Sequence, residues 1–216
     1  MKILVLAAHP DDETLGCGGT IKRLSKEGNY IKLLTFTDGE GSRTSNGEEI
    51  YNRNVLLEKV CNKLGINEYS SGNFPDNKMD SVPLLELCKF IEDNVGFKPD
   101  IIFTHHRNCL NVDHQLVFRA TLTAFRPQYG KNQTIYSYYV PSSTDYNPFN
   151  NFRGNVYYNI ENEIKDKIEC LKIYDNEMRD YPHTRSYENI SNLSKVWGSE
   201  VGLNYAEKFE LVRNVI

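Results

Sequence analysis

The chain has 216 residues and a formal net charge of -4, with 25 Lys and Arg against 29 Asp and Glu. That is the length of one α/β domain with a core large enough to stand without staples, so we expect a single domain over residues 1–216. Lys and Arg are scattered, which argues against nucleic acid or anionic lipid as partner. The five cysteines form no CxxC pair, and no long apolar run or signal-like leader is seen. They therefore read as reduced thiols in a cytoplasmic protein without membrane insertion.

Lys2–Ala8 is apolar and β-branched without alternation, the pattern of a strand buried on both faces. It runs into His9-Pro10-Asp11-Asp12-Glu13, where Pro10 turns the chain and charge crowds beside the apolar run. Thr14–Glu27 reads as a helix, ended by Gly28. Gly18-Gly19 is costly inside it, so the backbone there is expected to lie close to the first strand or to a ligand. Tyr30–Thr37 is a second strand, followed by the polar loop Asp38-Gly39-Glu40-Gly41-Ser42-Arg43. Glu48–Leu64 reads as a helix, Asn67–Asp80 as irregular with a turn at Pro75-Asp76-Asn77, and Val82–Val95 as a helix.

Asp100–Thr104 is the second strongly buried strand. It too ends in polar residues, from His105, His106, Arg107 and Asn108 to Asn111, Asp113 and His114. Leu116–Phe125 reads as a helix and Gln133–Val140 as a strand. Pro141–Asn151 is a loop, Asn155–Asn159 a further strand, Ile160–Tyr174 a helix, Asp180–Tyr187 a polar linker and Glu188–Val201 a last helix. Strands alternating with helices give a Rossmann-like three-layer α/β sandwich, its mostly parallel sheet covered on both faces. In such folds ligands sit beyond the C-terminal strand edge, where both polar clusters fall.

A catalytic zinc takes three His or carboxylate ligands and leaves one position for water. His9 and Asp12 offer two donors behind the first strand, and His114 offers a third from the other cluster. Asp11, left free beside them, suits a proton acceptor. The alternative is that His9 and Asp12 only cap the following helix; two clusters behind two like strands favour the metal.

These residues carry a resemblance. Ala8-His9-Pro10-Asp11-Asp12-Glu13, Gly18-Gly19 and Asp113-His114 resemble the PIG-L (LmbE-like) family of zinc-dependent N-deacetylases. Thr37 to Gly41, Arg53, Pro99-Asp100, His183 to Ser186, Gly202, Tyr205-Ala206-Glu207 and Phe209 add to it. The resemblance implies removal of an acetyl group from an amino sugar or its conjugate, in a nucleotide-sugar or polysaccharide pathway. It implies zinc, or another divalent transition metal, on His9, Asp12 and His114. Asp11 would be the general base, Glu13 a support of the loop, and Asp113 an orienting group. Many members have His where this chain has Asn111, a position that would meet the oxyanion through one neutral hydrogen bond.

Arg53, Asp38, Arg43, His183 and Arg185 are candidate substrate contacts, each set against an ordinary surface charge. Of His105 and His106, one is expected to face the site; His106 is taken as the catalytic candidate. Tyr136 to Tyr158 suit either sugar stacking or half-buried packing. The expected partner is a small N-acetyl amino-sugar substrate, with a homo-oligomer possible. Alternatives are an amide hydrolase for a thiol glycoside or an antibiotic precursor, and a non-catalytic sugar-binding homologue. A nucleotide-binding protein lacks support, since no Gly-x-Gly-x-x-Gly follows a strand.

Overall fold

The computed structural model describes residues 1–39, 47–127, 133–149 and 151–215, the side chains of 47–52 excepted. The elements in chain order are β1 (Lys2–Ala7), α1 (Asp12–Lys26), β2 (Tyr30–Thr37), α2 (Gly47–Leu64), β3 (Glu68–Phe74), α3 (Leu84–Val95), β4 (Ile101–His105), α4 (Val112–Ala124), β5 (Thr134–Tyr138), β6 (Val156–Asn159), α5 (Ile164–Ile173), α6 (Tyr187–Ser199) and β7 (Ala206–Arg213).

The strands form a seven-stranded sheet in the order β3-β2-β1-β4-β5-β7-β6. Pairing is parallel from β3 through β5, and β7 runs antiparallel to both β5 and β6. The order reverses between β1 and β4, so the crevice for a ligand opens beyond their C-terminal ends. The loops after those two strands carry the two polar clusters.

The pleat divides β1 between two cores. Ile3, Val5 and Ala7 pack with Leu15, Ile21, Leu57, Cys61, Leu171 and Ile190 from α1, α2, α5 and α6. Leu4, Leu6 and Ala8 pack on the other face with Leu87, Ile91, Val117 and Ala120 from α3 and α4. This is the expected three-layer sandwich. Tyr136 and Tyr158 ring Phe103 and Phe209, and Tyr138 is fully buried, donating its hydroxyl to Leu6 O at 2.7 Å. The packing reading of these tyrosines holds for all three.

Two strands depart from the sequence reading. Residues 67–80, read as irregular, contain β3: an edge strand whose polar sequence and exposed side chains give no apolar signal. β7 was not expected at all, because Ala206–Arg213 mixes charged with apolar residues; it fills the slot between β5 and β6. Helix α4 starts at Val112, four residues before the expected Leu116, because Asn111 Oδ1 accepts from Asp113 N at 2.8 Å and caps it.

The close approach at Gly18-Gly19 is to Ile160 and α5 rather than to β1. A Cβ on Gly19 would lie 2.9 Å from Ile160 side-chain carbons, and one on Gly18 would lie 3.6 Å from Lys167 Cγ. All five cysteines are buried and unpaired. Among the described residues no helix is long and apolar enough to cross a membrane.

Candidate metal centre

After β1 the chain turns through His9 and Pro10 into Asp11, whose φ of 133° lies in a region that L-residues rarely adopt. Such a residue costs on the order of 1–3 kcal/mol and persists where its surroundings over-determine it. Glu13 supplies that constraint: Oε2 accepts from Asp11 N at 3.0 Å, and Oε1 accepts from Thr14 Oγ1 at 2.7 Å. Glu13 is thus the loop support, as the resemblance implies.

Three donor atoms converge beyond the loop. His9 Nδ1 lies 3.1 Å from Asp12 Oδ2, His114 Nε2 lies 3.3 Å from the same oxygen, and the two nitrogens are 3.4 Å apart. Ligands about 2.0–2.1 Å from a tetrahedral zinc stand about 3.3–3.4 Å from one another. The tautomer of His9 points the same way. Its Nε2 lies 3.1 Å from both Asp76 Oδ1 and Asp113 Oδ2, so in the neutral ring that nitrogen keeps the proton and Nδ1 is left to bind a metal. Asp12 Oδ1 is buried without a hydrogen-bond partner. Either a proton on His9 Nδ1 or a metal cation satisfies Asp12 Oδ2, and the spacing of this donor set fits a divalent metal.

The charges of the cluster follow from this crowding. Burial disfavours charge on His9, but hydrogen bonds to Asp113, Asp12 and Asp76 outweigh it and hold its pKa well above the usual histidine value. Burial would raise Asp12, yet His114 and His105 hold it well below the usual carboxylate range. His114 and His105 are pushed down, chiefly by burial. Asp113 joins the parts: its carboxylate also accepts from Asn77 N at 2.7 Å and Met79 N at 3.1 Å. It therefore orients His9 and ties it to the loop after β3.

A second group faces the same crevice. Arg185 Nη1 donates to Asp11 Oδ2 at 3.1 Å, and Arg53 Nη2 stands 3.6 Å from that oxygen. Arg53 Nη1 donates to Glu177 Oε1 at 3.0 Å, and Arg185 Nη1 lies 3.7 Å from Glu177 Oε2. Two arginines thus sit between two carboxylates. Burial pushes Asp11 up to about 7 against the pull of Arg185 and Arg53. His9, Asp11, Arg53, Asp76, Asn111 and Arg185 all border a cavity of about 120 Å³.

Not every candidate lies there. His106 is corrected: its ring packs on Phe152, with Nε2 3.3 Å from Glu210 Oε2, away from the donor cluster. The histidine in the site is His105, stacked on His114 at 3.8 Å with Nε2 accepting from Ala8 N. β4 ends at this point, and neighbouring residues of an extended chain point to opposite faces. His183 shapes the tail, its Nδ1 accepting from Arg185 N at 3.0 Å. Asp38 is half-buried beside Gly39, which lines the cavity, while Arg43 lies outside the described residues. Asn111 borders the cavity, but its Nδ2 donates to Asn77 Oδ1 at 2.7 Å.

Sequence reasoning missed Asp76, Asn77 and Glu177 as members of the site. Had β3 been seen as a strand, Asp76 would have fallen at its C-terminal end, on the ligand edge. Glu177 follows α5 in a single 3₁₀ turn and carries no sequence signal.

A Rossmann-like α/β sandwich with a His-Asp-His cluster at its switch point defines the class of fold, an α/β domain with a candidate metal centre at its strand edge. The family profile described as "PIG-L: GlcNAc-PI de-N-acetylase" matches residues 4–125, and the chain belongs to that family. "Uncharacterized deacetylase YaiS" of Escherichia coli (strain K12) is 29% identical, with 57% of this chain and 68% of that protein covered. The 1D-myo-inositol 2-acetamido-2-deoxy-alpha-D-glucopyranoside deacetylase of Thermobifida fusca (strain YX) is 28% identical over 57% of this chain and 54% of its own, so the match spans about half of that relative. N,N'-diacetylchitobiose deacetylase from Pyrococcus horikoshii superposes with a TM-score of 0.76 at 21% identity, covering 98% of this chain and 83% of that one; this likeness is one of fold.

Proposed function

We infer that the chain is a metal-dependent hydrolase that removes the acetyl group from an N-acetyl amino sugar or its conjugate. The observation that carries this reading is the spacing of His9 Nδ1, Asp12 Oδ2 and His114 Nε2, with Asp11 bordering the same cavity as His9. Family membership and the deacetylases among the relatives support it.

His9, Asp12 and His114 would hold Zn2+ or another divalent transition metal. Such an ion, when bound, polarises an amide carbonyl and makes a water more acidic. Asp11 takes a proton from the attacking water as its oxygen bonds to the carbonyl carbon, and returns that proton to the nitrogen as the C–N bond breaks, so that acetate and a free amino sugar leave. Arg185 and Arg53 hold the Asp11 carboxylate in place on the cavity wall where the sugar would bind. Asp113 keeps His9 in the tautomer that presents Nδ1. Asp38 and His183 belong to the loops around the substrate, and Arg43 is a further candidate contact from the sequence.

The test is a panel of N-acetyl amino sugars, free, glycosidic and nucleotide-linked, read as acetate and free amine, with metal content measured by elemental analysis. One equivalent of metal and turnover of at least one compound are expected. Metal-free protein at full stability would overturn the reading. The second reading, a sugar-binding homologue without turnover, is favoured by one observation: the Asn111 amide is committed to Asn77. In that case the panel gives binding and no acetate.

A further inference from the structure

We propose that Lys167 and Glu207 are positioning residues for the metal-binding loop, acting as an ion pair inserted into a broken turn of α1. The proposal rests on the metal reading given above.

Helix α1 is not continuous: Cys17, at φ -146° and ψ 21°, separates a first segment from the rest. In an unbroken helix Gly19 N would donate to Leu15 O. Here Gly19 N donates to Glu207 Oε1 at 3.0 Å, and Leu15 O accepts from Lys167 Nζ at 2.9 Å. Lys167 and Glu207 meet at 2.6 Å, closing the gap that the lost bond leaves. Thr20 N adds a bond to Glu207 Oε2 at 2.7 Å. Glu207 thus caps the second segment as an anion at its N-terminus. A side chain inserted into the helical ladder is a recognised cause of a sharp bend.

The two side chains are 2% and 0% exposed. A buried pair is no strong source of stability, and its better attested use is to fix one geometry among several. The geometry fixed here is the direction of the short first segment. That segment begins with Asp12, the proposed metal donor, and includes Glu13, which constrains Asp11. Glycines clear the space: a Cβ on Gly16 would lie 2.2 Å from the Tyr138 ring. Lys167 comes from α5 and Glu207 from β7, both outside the stretch that the family profile matches. The donors are supplied by one part of the chain and their orientation by another.

The experiment compares zinc dissociation constants, by competition with a chromogenic chelator, in the parent, Glu207→Gln, Lys167→Met/Glu207→Gln and Ile91→Ala. Ile91 is a buried α3 residue in the opposite core and serves as a control for loosening of the fold. Glu207→Gln is expected to weaken zinc binding by roughly tenfold or more, the usual effect of losing a group that orients a metal ligand. The double variant leaves no buried charge unpaired, so it should recover melting temperature relative to Glu207→Gln without recovering zinc affinity. Should Glu207→Gln fail to fold, the double variant decides. Parent-like zinc affinity in the double variant would overturn the proposal, as would an equal loss in Ile91→Ala. A parent that binds no zinc would instead bring down the metal reading, and this proposal with it.

Discussion

The loop after β1 and the segment between α5 and α6 send charged side chains into one cavity, by opposite routes. His9, Asp11, Asp12 and Glu13 are neighbours in sequence, and hydrogen bonds among them already shape the turn. Glu177 and Arg185 arrive from far along the chain and meet Asp11 only because α5 and α6 pack on the same sheet face. A local motif can supply two of the three candidate donors, His9 and Asp12, which His114 joins from α4 across the switch point. The charge around the base has to be assembled by tertiary structure.

The largest effect expected on the local side is loss of the metal. His9→Ala, Asp12→Ala and His114→Ala should each come off a desalting column without zinc by elemental analysis, with far-UV circular dichroism retained. Full occupancy in all three would break the comparison at its base. Next is Asp11→Asn, which keeps the metal and loses about a hundred- to ten-thousand-fold in kcat, since an amide cannot take the proton. Parent-like kcat there would remove Asp11 from the chemistry.

The remote side should respond differently. Glu177→Gln removes a buried carboxylate that faces both Arg53 and Arg185, a loss of about 3 kcal/mol of stability by chemical denaturation. Zinc content should stay at one equivalent. If Glu177→Gln lost metal as fully as His9→Ala, donors and counter-charges would form one unit. The smallest effect is expected at Asn111. Its alanine variant removes a helix cap worth about 1 kcal/mol and should turn over near the parent rate. A fall of about a hundredfold would show that the amide leaves Asn77 and meets the reacting carbonyl.

Much of the local side was legible in the sequence, and the reasons are physical. β1 and β4 are buried on both faces, so their apolar runs stand out, and the candidate ligands lie in the segments that follow them. β3 and β7 lie where one face or one edge meets solvent, and their mixed composition hides them. His105 and His106 could not be separated by sequence, because only the register of β4 decides which ring turns to the site. The Gly18-Gly19 pair correctly signalled a close approach; the neighbour proved to be Ile160 and the α5 lysine, which no local pattern announces. Glu177 was invisible for the same reason.

The buried cysteines carry a practical consequence. Burial pushes Cys17 well above the usual thiol value, raises Cys61 and Cys88, and takes Cys109 and Cys170 to about 12. Alkylation needs the thiolate and access to it, so the folded chain should be inert to iodoacetamide at neutral pH. Each thiol then becomes a clock for the opening of its own region. Cys17 sits at the break in α1, Cys88 in the opposite core and Cys61 and Cys170 beneath α2 and α5. Mass-resolved labelling over time would therefore rank how readily the layers of the molecule come apart.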